Sequence, residues 1–284
     1  NAGGFKLLPD GDYQKGDGIM SGDLQNIVDN TVDNVVDIVG AGPGDPELIT
    51  VRGMKLLQQA DVVIYAGSLV NPKLLDYCRP DCTIYDSAGM NLDEVIAVIK
   101  EAWPQGKRIV RLHTGDPSIY GAIREQMDIL EAAAIPFRVT PGVSSFCAAA
   151  AALKKEYVLP EVSQTVILTR MEGRTPVPAA EDIRNLAKIN ATMIIFLSVH
   201  MIEELVARLR EGYPADTPAA VVYKASWPEE KQVVGTLADI AEKVQAANIG
   251  RTALVTVGRF LGDEYALSKL YDKGFSHGYR EAKA

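Results

Sequence analysis

From Val35 onward, short apolar runs rich in β-branched residues alternate with longer segments whose apolar positions recur at helical spacing. This pattern predicts strands at Val35–Val39, Asp61–Tyr65, Cys82–Tyr85, Arg108–Leu112 and Phe137–Val139. Between and after them it predicts helices at Pro46–Gln59, Pro72–Cys78, Asn91–Trp103, Ser118–Ala133 and Phe146–Leu153. The last holds five consecutive alanines, Ala148 to Ala152, which allow close approach to a sheet or a neighbouring helix. Charge and a proline interrupt the pattern at Lys154–Pro160, and the boundary between two lobes, 35–153 and 154–284, is placed there. Beyond it, strands are predicted at Gln164–Thr169, Thr192–Leu197, Ala219–Lys224, Lys231–Gly235 and Ala253–Val257, and helices at Ala180–Ala187, Met201–Arg210 and Leu237–Ala246. Ala219–Lys224 and Lys231–Gly235 are joined by a short link, so part of the second sheet is expected to be antiparallel. The fold class expected is α/β: two lobes, the first with a mostly parallel sheet and the second with a mixed one, and a cleft between them.

The first 34 residues are rich in Gly, Asp and Asn and carry no sustained period. They read as a flexible extension, or as the remnant of a tag since the chain starts without methionine, with a short helix around Asp23–Asp29 as its one candidate element. With 284 residues, 47% of them hydrophobic, the rest of the chain can bury a two-lobed core. No apolar run approaches the roughly 18 residues of a membrane span, and the start lacks the layout of a secretory signal, so a cytoplasmic protein is expected. A net charge of −8 argues against a nucleic-acid surface. Cys78, Cys82 and Cys147 have no partner pattern for disulfides or zinc, so they read as buried thiols and no metal site is expected.

The chemistry concentrates at Gly40-Ala41-Gly42-Pro43-Gly44-Asp45-Pro46, a glycine-rich turn directly after the first strand. It breaks the dinucleotide fingerprint, because Asp45 stands where the last glycine is needed and Pro46 removes an amide donor. An anion at that position repels phosphate and suits a ligand that lacks phosphates or carries positive charge.

Further blocks join this loop: His113-Thr114-Gly115-Asp116-Pro117-Ser118-Ile119-Tyr120-Gly121, Thr140-Pro141-Gly142-Val143-Ser144-Ser145, Ala215-Asp216-Thr217-Pro218-Ala219 and Gly235-Thr236-Leu237. In this order they resemble the tetrapyrrole methylases, over Val35 to about Tyr279. Gln164–Arg170, Glu172-Gly173-Arg174-Thr175-Pro176, Tyr223-Lys224-Ala225-Ser226-Trp227-Pro228-Glu229-Glu230 and Ser268–Asp272 resemble the branch that methylates precorrin-4 at ring carbon 11 in cobalamin biosynthesis. The resemblance implies S-adenosylmethionine as methyl donor, S-adenosylhomocysteine as product, a tetrapyrrole substrate and a homodimer. Carried over position by position, it implies cofactor contacts at Pro43, Thr114, Gly115, Asp116, Ile119, Ser144 and Ser145 in the first lobe, and at Leu197 and Ala225 in the second. The sirohaem-type members carry aspartate at the position of Gly67, which speaks against a uroporphyrinogen methylase. Whether the substrate holds cobalt is left open.

Methyl transfer to an electron-rich ring carbon needs in-line geometry and exclusion of water more than a nucleophilic side chain, so no triad is expected. Asp45 and Tyr120 are the candidates for a direct catalytic part. A polycarboxylate substrate calls for cations, and Arg52, Arg111, Arg170 and Arg174, with His113 at a strand end, are the candidates. Each has a plainer reading: Asp45, Asp116, Ser144 and Ser145 as helix caps, His113 as a half-buried histidine, the arginines as surface ion pairs, and Tyr120 and Trp227 as core aromatics rather than a platform for the macrocycle. Two other functions stand beside the leading one. A diphthine synthase type would act on a protein partner, and the Thr-Arg-Met-Glu-Gly-Arg-Thr-Pro block speaks against it. A non-enzymatic nucleotide-binding module conflicts with Asp45 and lacks a ribose-binding acid after the second strand.

Overall fold

The computed structural model describes Lys6–Leu7, Tyr13–Gln14 and residues 34–282; the helix expected at Asp23–Asp29 lies outside the described residues. Lys6–Leu7 and Tyr13–Gln14 form a short antiparallel pair. The main body is built on two five-stranded sheets.

The first sheet is made of β1 (Val36–Gly40), β2 (Val62–Tyr65), β3 (Thr83–Asp86), β4 (Ile109–His113) and β5 (Phe137–Thr140). Its order is β3-β2-β4-β1-β5 and every pairing is parallel. The central strands β1 and β4 are buried along their whole length, as near-continuous apolar runs covered on both faces must be. Helices α2 (Leu92–Ala102) and α3 (Arg124–Ala132) cover one face, meeting Val36, Ile64 and Ile109. Helix α1 (Val51–Gln59) and a 3₁₀ helix at Pro72–Tyr77 cover the other, meeting Val39, Val63 and Leu112. From β1 the chain moves away toward β2, while β5 lies on the opposite side of β1. The carboxyl ends of β1 and β4 therefore flank the crevice where open α/β sheets receive ligands.

The second sheet holds β6 (Val166–Arg170), β7 (Thr192–Phe196), β8 (Pro218–Tyr223), β9 (Lys231–Thr236) and β10 (Ala253–Val257) in the order β9-β8-β10-β7-β6. Only β6–β7 is parallel, so the sheet is mixed, with the expected β8–β9 hairpin on one edge. Alternation along β7 sends Met193 and Ile195 to a core with α5 (Ile183–Ala187), α6 (Ile202–Leu209) and α7 (Ile240–Ala246). Ile194 and Phe196 point the other way, against the alanine-rich α4 (Ser145–Leu153). Ala148 and Ala149 are the buried residues of α4, so small side chains let this helix, which follows β5 of the first sheet, settle on the second.

Three expected helices are shorter or different. Ser118–Ala133 is helical only from Arg124, because Tyr120 and Ala122 adopt left-handed backbone (φ +56° and +49°), which no helix continues. Pro46–Gln59 is divided: Asp45 caps a 3₁₀ turn at Pro46–Leu48, and Thr50 Oγ1 accepts from the Gly53 amide (3.1 Å) to start α1 afresh. Pro72–Cys78 is a 3₁₀ helix rather than an α-helix. The cysteines also differ from expectation: Cys78 and Cys82 are half-buried and Cys147 is exposed. No helix among the described residues is long and apolar enough to cross a membrane.

Candidate active site

The loops after β1, β4 and β5 meet at glycines. Gly42 and Gly115 exchange backbone hydrogen bonds, the Gly115 amide donating to Gly42 at 2.8 Å and the Gly42 amide to Gly115 at 3.3 Å. A side-chain carbon on Gly40 would lie 2.6 Å from the Gly115 carbonyl oxygen, and one on Gly142 only 2.1 Å from it. Three strand ends can close to this distance only without β-carbons.

Asp116 ties the loops together. Its carboxylate accepts from the amides of Ser118 (2.8 Å) and Gly142 (2.9 Å) and from the Ser118 hydroxyl. Burial pushes its pKa up, but these hydrogen bonds prevail and hold it below the usual value. Asp116 thus joins two loops of the site, a task beyond capping. Asp45 accepts from the Glu47 amide (2.9 Å) as a cap of the 3₁₀ turn and does not line the cavity described next.

Between the lobes lies a cavity of about 810 Å³, a size that suits a cofactor-sized ligand. Its first-lobe wall includes Pro43, Thr114, Gly115, Asp116, Ile119, Ser144 and Ser145; Leu197 and Ala225 stand on the second-lobe wall. All nine positions expected to contact the cofactor therefore face one space. Tyr120 lines it too, with its ring 5.1 Å from that of Phe196 across the cleft. Burial chiefly raises the Tyr120 phenol pKa; nearby Arg170 lowers it and Glu181 raises it, leaving the phenol protonated and a donor at neutral pH.

The five residues expected to meet the substrate do not line this cavity. Arg111 is buried and donates to Gln126 Oε1 and the Ile64 carbonyl, both at 3.1 Å, and burial lowers its pKa to about 10. His113 is 4% exposed, and burial, with the Arg111 charge beside it, pushes its pKa down to about 3. Arg170 donates to the carbonyls of Met171, Thr175 and Pro176 (3.1, 3.2 and 2.9 Å), shaping the loop that carries exposed Arg174. Arg52 is exposed on the first turn of α1.

Other wall residues gave little sequence signal. Arg251 and Thr252 belong to an ordinary polar stretch, and only the fold brings Gly250–Leu254 beside Tyr223 and Ala225. Trp227 and Lys224 belong to the Tyr223–Glu230 block that carries the family resemblance, yet the place of Trp227 is not that of a free platform. Its indole donates to the Pro43 carbonyl (3.0 Å), and the Asp45 amide donates to Ser226 Oγ (3.0 Å). Asn71 Nδ2 holds the Gly44 carbonyl (2.8 Å). The amides of Gly42 and Asp45 are thus engaged by protein and Pro43 and Pro46 have none, which removes most of the donors a phosphate cradle needs.

Comparison with known proteins bears on the family and the fold. The chain is 60% identical over 247 residues to the cobalt-precorrin-4 C(11)-methyltransferase of Methanocaldococcus jannaschii, covering 86% of this chain and 95% of that protein. The X-ray structure of the cobalamin biosynthetic enzyme cobalt precorrin-4 methyltransferase, CbiF, superposes with a TM-score of 0.80 at 44% identity, covering 83% of this chain and 99% of that one. The uroporphyrin-III C-methyltransferase of Thermus thermophilus, solved in complex with S-adenosylhomocysteine, matches with a TM-score of 0.65 at 27% identity, covering 80% and 93%. Residues 35–241 match the model of the tetrapyrrole (corrin/porphyrin) methylases, and the chain belongs to that family.

Proposed function

We propose that this protein is an S-adenosylmethionine-dependent methyltransferase that places a methyl group on carbon 11 of precorrin-4, or of its cobalt complex, in cobalamin biosynthesis. The observation that carries this reading is the convergence of the nine cofactor positions on one inter-lobe cavity, in a chain so similar to enzymes named for that reaction. The wall chemistry fits the donor. The cavity has one carboxylate on its wall, Asp116, already engaged by amides, and offers aliphatic and aromatic surface at Ile119, Leu197 and Phe196.

When bound, S-adenosylmethionine supplies an electrophilic methyl carbon on a sulfonium cation. The chain's part is to hold the accepting carbon in line with it and to keep water away. Asp116 fixes the β4 and β5 loops relative to each other, while Tyr120 and Phe196 close the space from opposite lobes. The protonated Tyr120 phenol donates toward the substrate. Arg170 at the end of β6 and Arg174 in the loop after it, rather than buried Arg111, meet the substrate's carboxylates. The same reading extends to a cytoplasmic homodimer, which light scattering of the purified protein measures.

The test is incubation with S-adenosylmethionine carrying carbon-13 in its methyl group, with precorrin-4 and cobalt-precorrin-4 offered separately and the label located by NMR. Label at carbon 11 is expected, and the faster substrate assigns the route. Label at another ring carbon overturns the position assignment; no binding of S-adenosylhomocysteine by calorimetry overturns the donor.

A further inference from the structure

The first glycine loop is held in place by the opposite lobe. Pro43, Gly44 and Asp45 meet Ser226 and Trp227, residues more than 180 positions along the chain. A side-chain carbon on Gly44 would lie 2.0 Å from both Cδ1 and Nε1 of the Trp227 indole, so the missing side chain is the slot in which the ring sits. The indole N–H donates to the Pro43 carbonyl beside that slot, and the Asp45 amide donates to Ser226 Oγ. On the second-lobe side the contact is braced: the Ser226 amide donates to Glu230 Oε2 at 2.7 Å, and Lys224 Nζ lies 5.0 Å from the centre of the Trp227 ring while pairing with Glu229 at 3.2 Å. Each sheet has its own core, and α4 already joins the lobes by packing on the second sheet, so these contacts set where the Pro43–Asp45 loop stands against the second lobe rather than whether either lobe folds.

We propose that Trp227 is a positioning residue that fixes the Pro43–Asp45 loop from across the cleft and so sets the width of the cofactor cavity. The proposal rests on the cofactor reading above. Pro43 stands on one wall of the cavity, Ala225 on the other, and the latch joins the segments carrying both. Releasing it leaves both lobes and the α4 packing between them intact but frees the loop that carries Pro43, which weakens binding of the donor without removing any group that takes part in the transfer.

Trp103 and Trp227 are the two tryptophans of the chain, so Trp103→Phe leaves Trp227 as the sole reporter. In that background its emission, titrated with S-adenosylhomocysteine, reads the latch directly. Trp227→Phe, which fills the slot without the N–H, is expected to raise the Kd for S-adenosylhomocysteine by about 3- to 10-fold, the value of one lost hydrogen bond. The KM for S-adenosylmethionine rises in step while kcat changes by less than about twofold, a split that a general loss of folded protein would not produce. Gly44→Ala expels the ring and moves Trp227 emission to longer wavelength, with a larger loss of affinity. Wild-type binding together with unchanged Kd in both variants and unmoved emission in Gly44→Ala overturns the proposal. A wild type that does not bind S-adenosylhomocysteine overturns the cofactor reading beneath it, and the emission of Gly44→Ala still decides whether the indole occupies the slot.

Discussion

On the first-lobe side of the cavity the loops that bring the strand ends together turn on glycine, with Gly42 and Gly115 at φ +79° and +59°, and Tyr120 at +56° is the one left-handed lining residue there that carries a side chain. On the second-lobe side the same left-handed geometry is carried by Leu197, Lys224 and Thr252, at φ +55°, +46° and +53°. Glycine adopts this conformation at little cost, whereas each residue with a β-carbon there stores about 1 kcal/mol or more. The first wall needs three strand ends in contact, which forbids side chains. The second needs side chains aimed into the cavity, Leu197 remaining 59% exposed, and tolerates strain to present them. One wall is organised by close approach and the other by display.

Gly142→Ala tests the first half of that contrast most severely. Its new carbon has the Gly115 carbonyl oxygen 2.1 Å away with backbone on every near side, so a loss above about 3 kcal/mol is expected, with failure to bind S-adenosylhomocysteine. Near-normal melting of this variant would show that the strand ends are not in contact. Asp116→Ala removes the acceptor of two amides and a hydroxyl, and a loss of about 2 kcal/mol is expected at pH 7 by chemical denaturation. Because the folded carboxyl titrates below its ordinary value, the stability Asp116 gives is present at neutral pH and disappears as pH falls below 3.8; a wild type and variant that differ as much at pH 2.5 as at pH 7 would contradict this.

His113 probes the same strand end through pH. The folded chain keeps it neutral down to about pH 3, while the unfolded chain takes up a proton below 6.5. The unfolded state therefore binds more protons in that window, and stability falls as pH drops through it, by up to about 1.4 kcal/mol per pH unit. His113→Leu should flatten this part of the stability curve, and an unchanged slope between pH 6.5 and 5 would refute the assignment. The smallest effect is on the opposite wall: Leu197→Gly relieves backbone strain as it removes side-chain contacts, so its melting is expected within about 1 kcal/mol of wild type, whereas Leu197→Val costs more. A Gly variant less stable than the Val variant would break the contrast between the walls.

The same contrast explains what could be read in advance. Gly40, Gly42, Gly115, Gly142 and Asp116 stand in compact blocks beside strands, where local chemistry imposes residue type, and both sheets follow from alternating apolar runs. The helix expected across Ser118–Ala133 starts only at Arg124 because left-handed Tyr120 and Ala122 have no compositional mark; tertiary contact with Phe196 accompanies that turn. Arg111 and His113 look like ligand-binding residues by position, yet their side chains lie in the packed interior of the sheet, a distinction that depends on what covers β4. The Trp227 latch depends on a missing β-carbon far away at Gly44, a pairing no local pattern encodes.

The order of strands in the first sheet also governs when the site comes into being. β1 emerges early in synthesis but must wait for β4 and β5, its only neighbours in the sheet, before its edges are paired. Parallel pairings between such distant segments are slow steps of folding. The event that seats Gly40 against Gly115 and Gly142 is therefore also the event that completes the sheet. A chain stalled before that step offers an unpaired apolar strand to aggregation, while a ligand that bridges the three loops would act as a folding aid as well as a reactant.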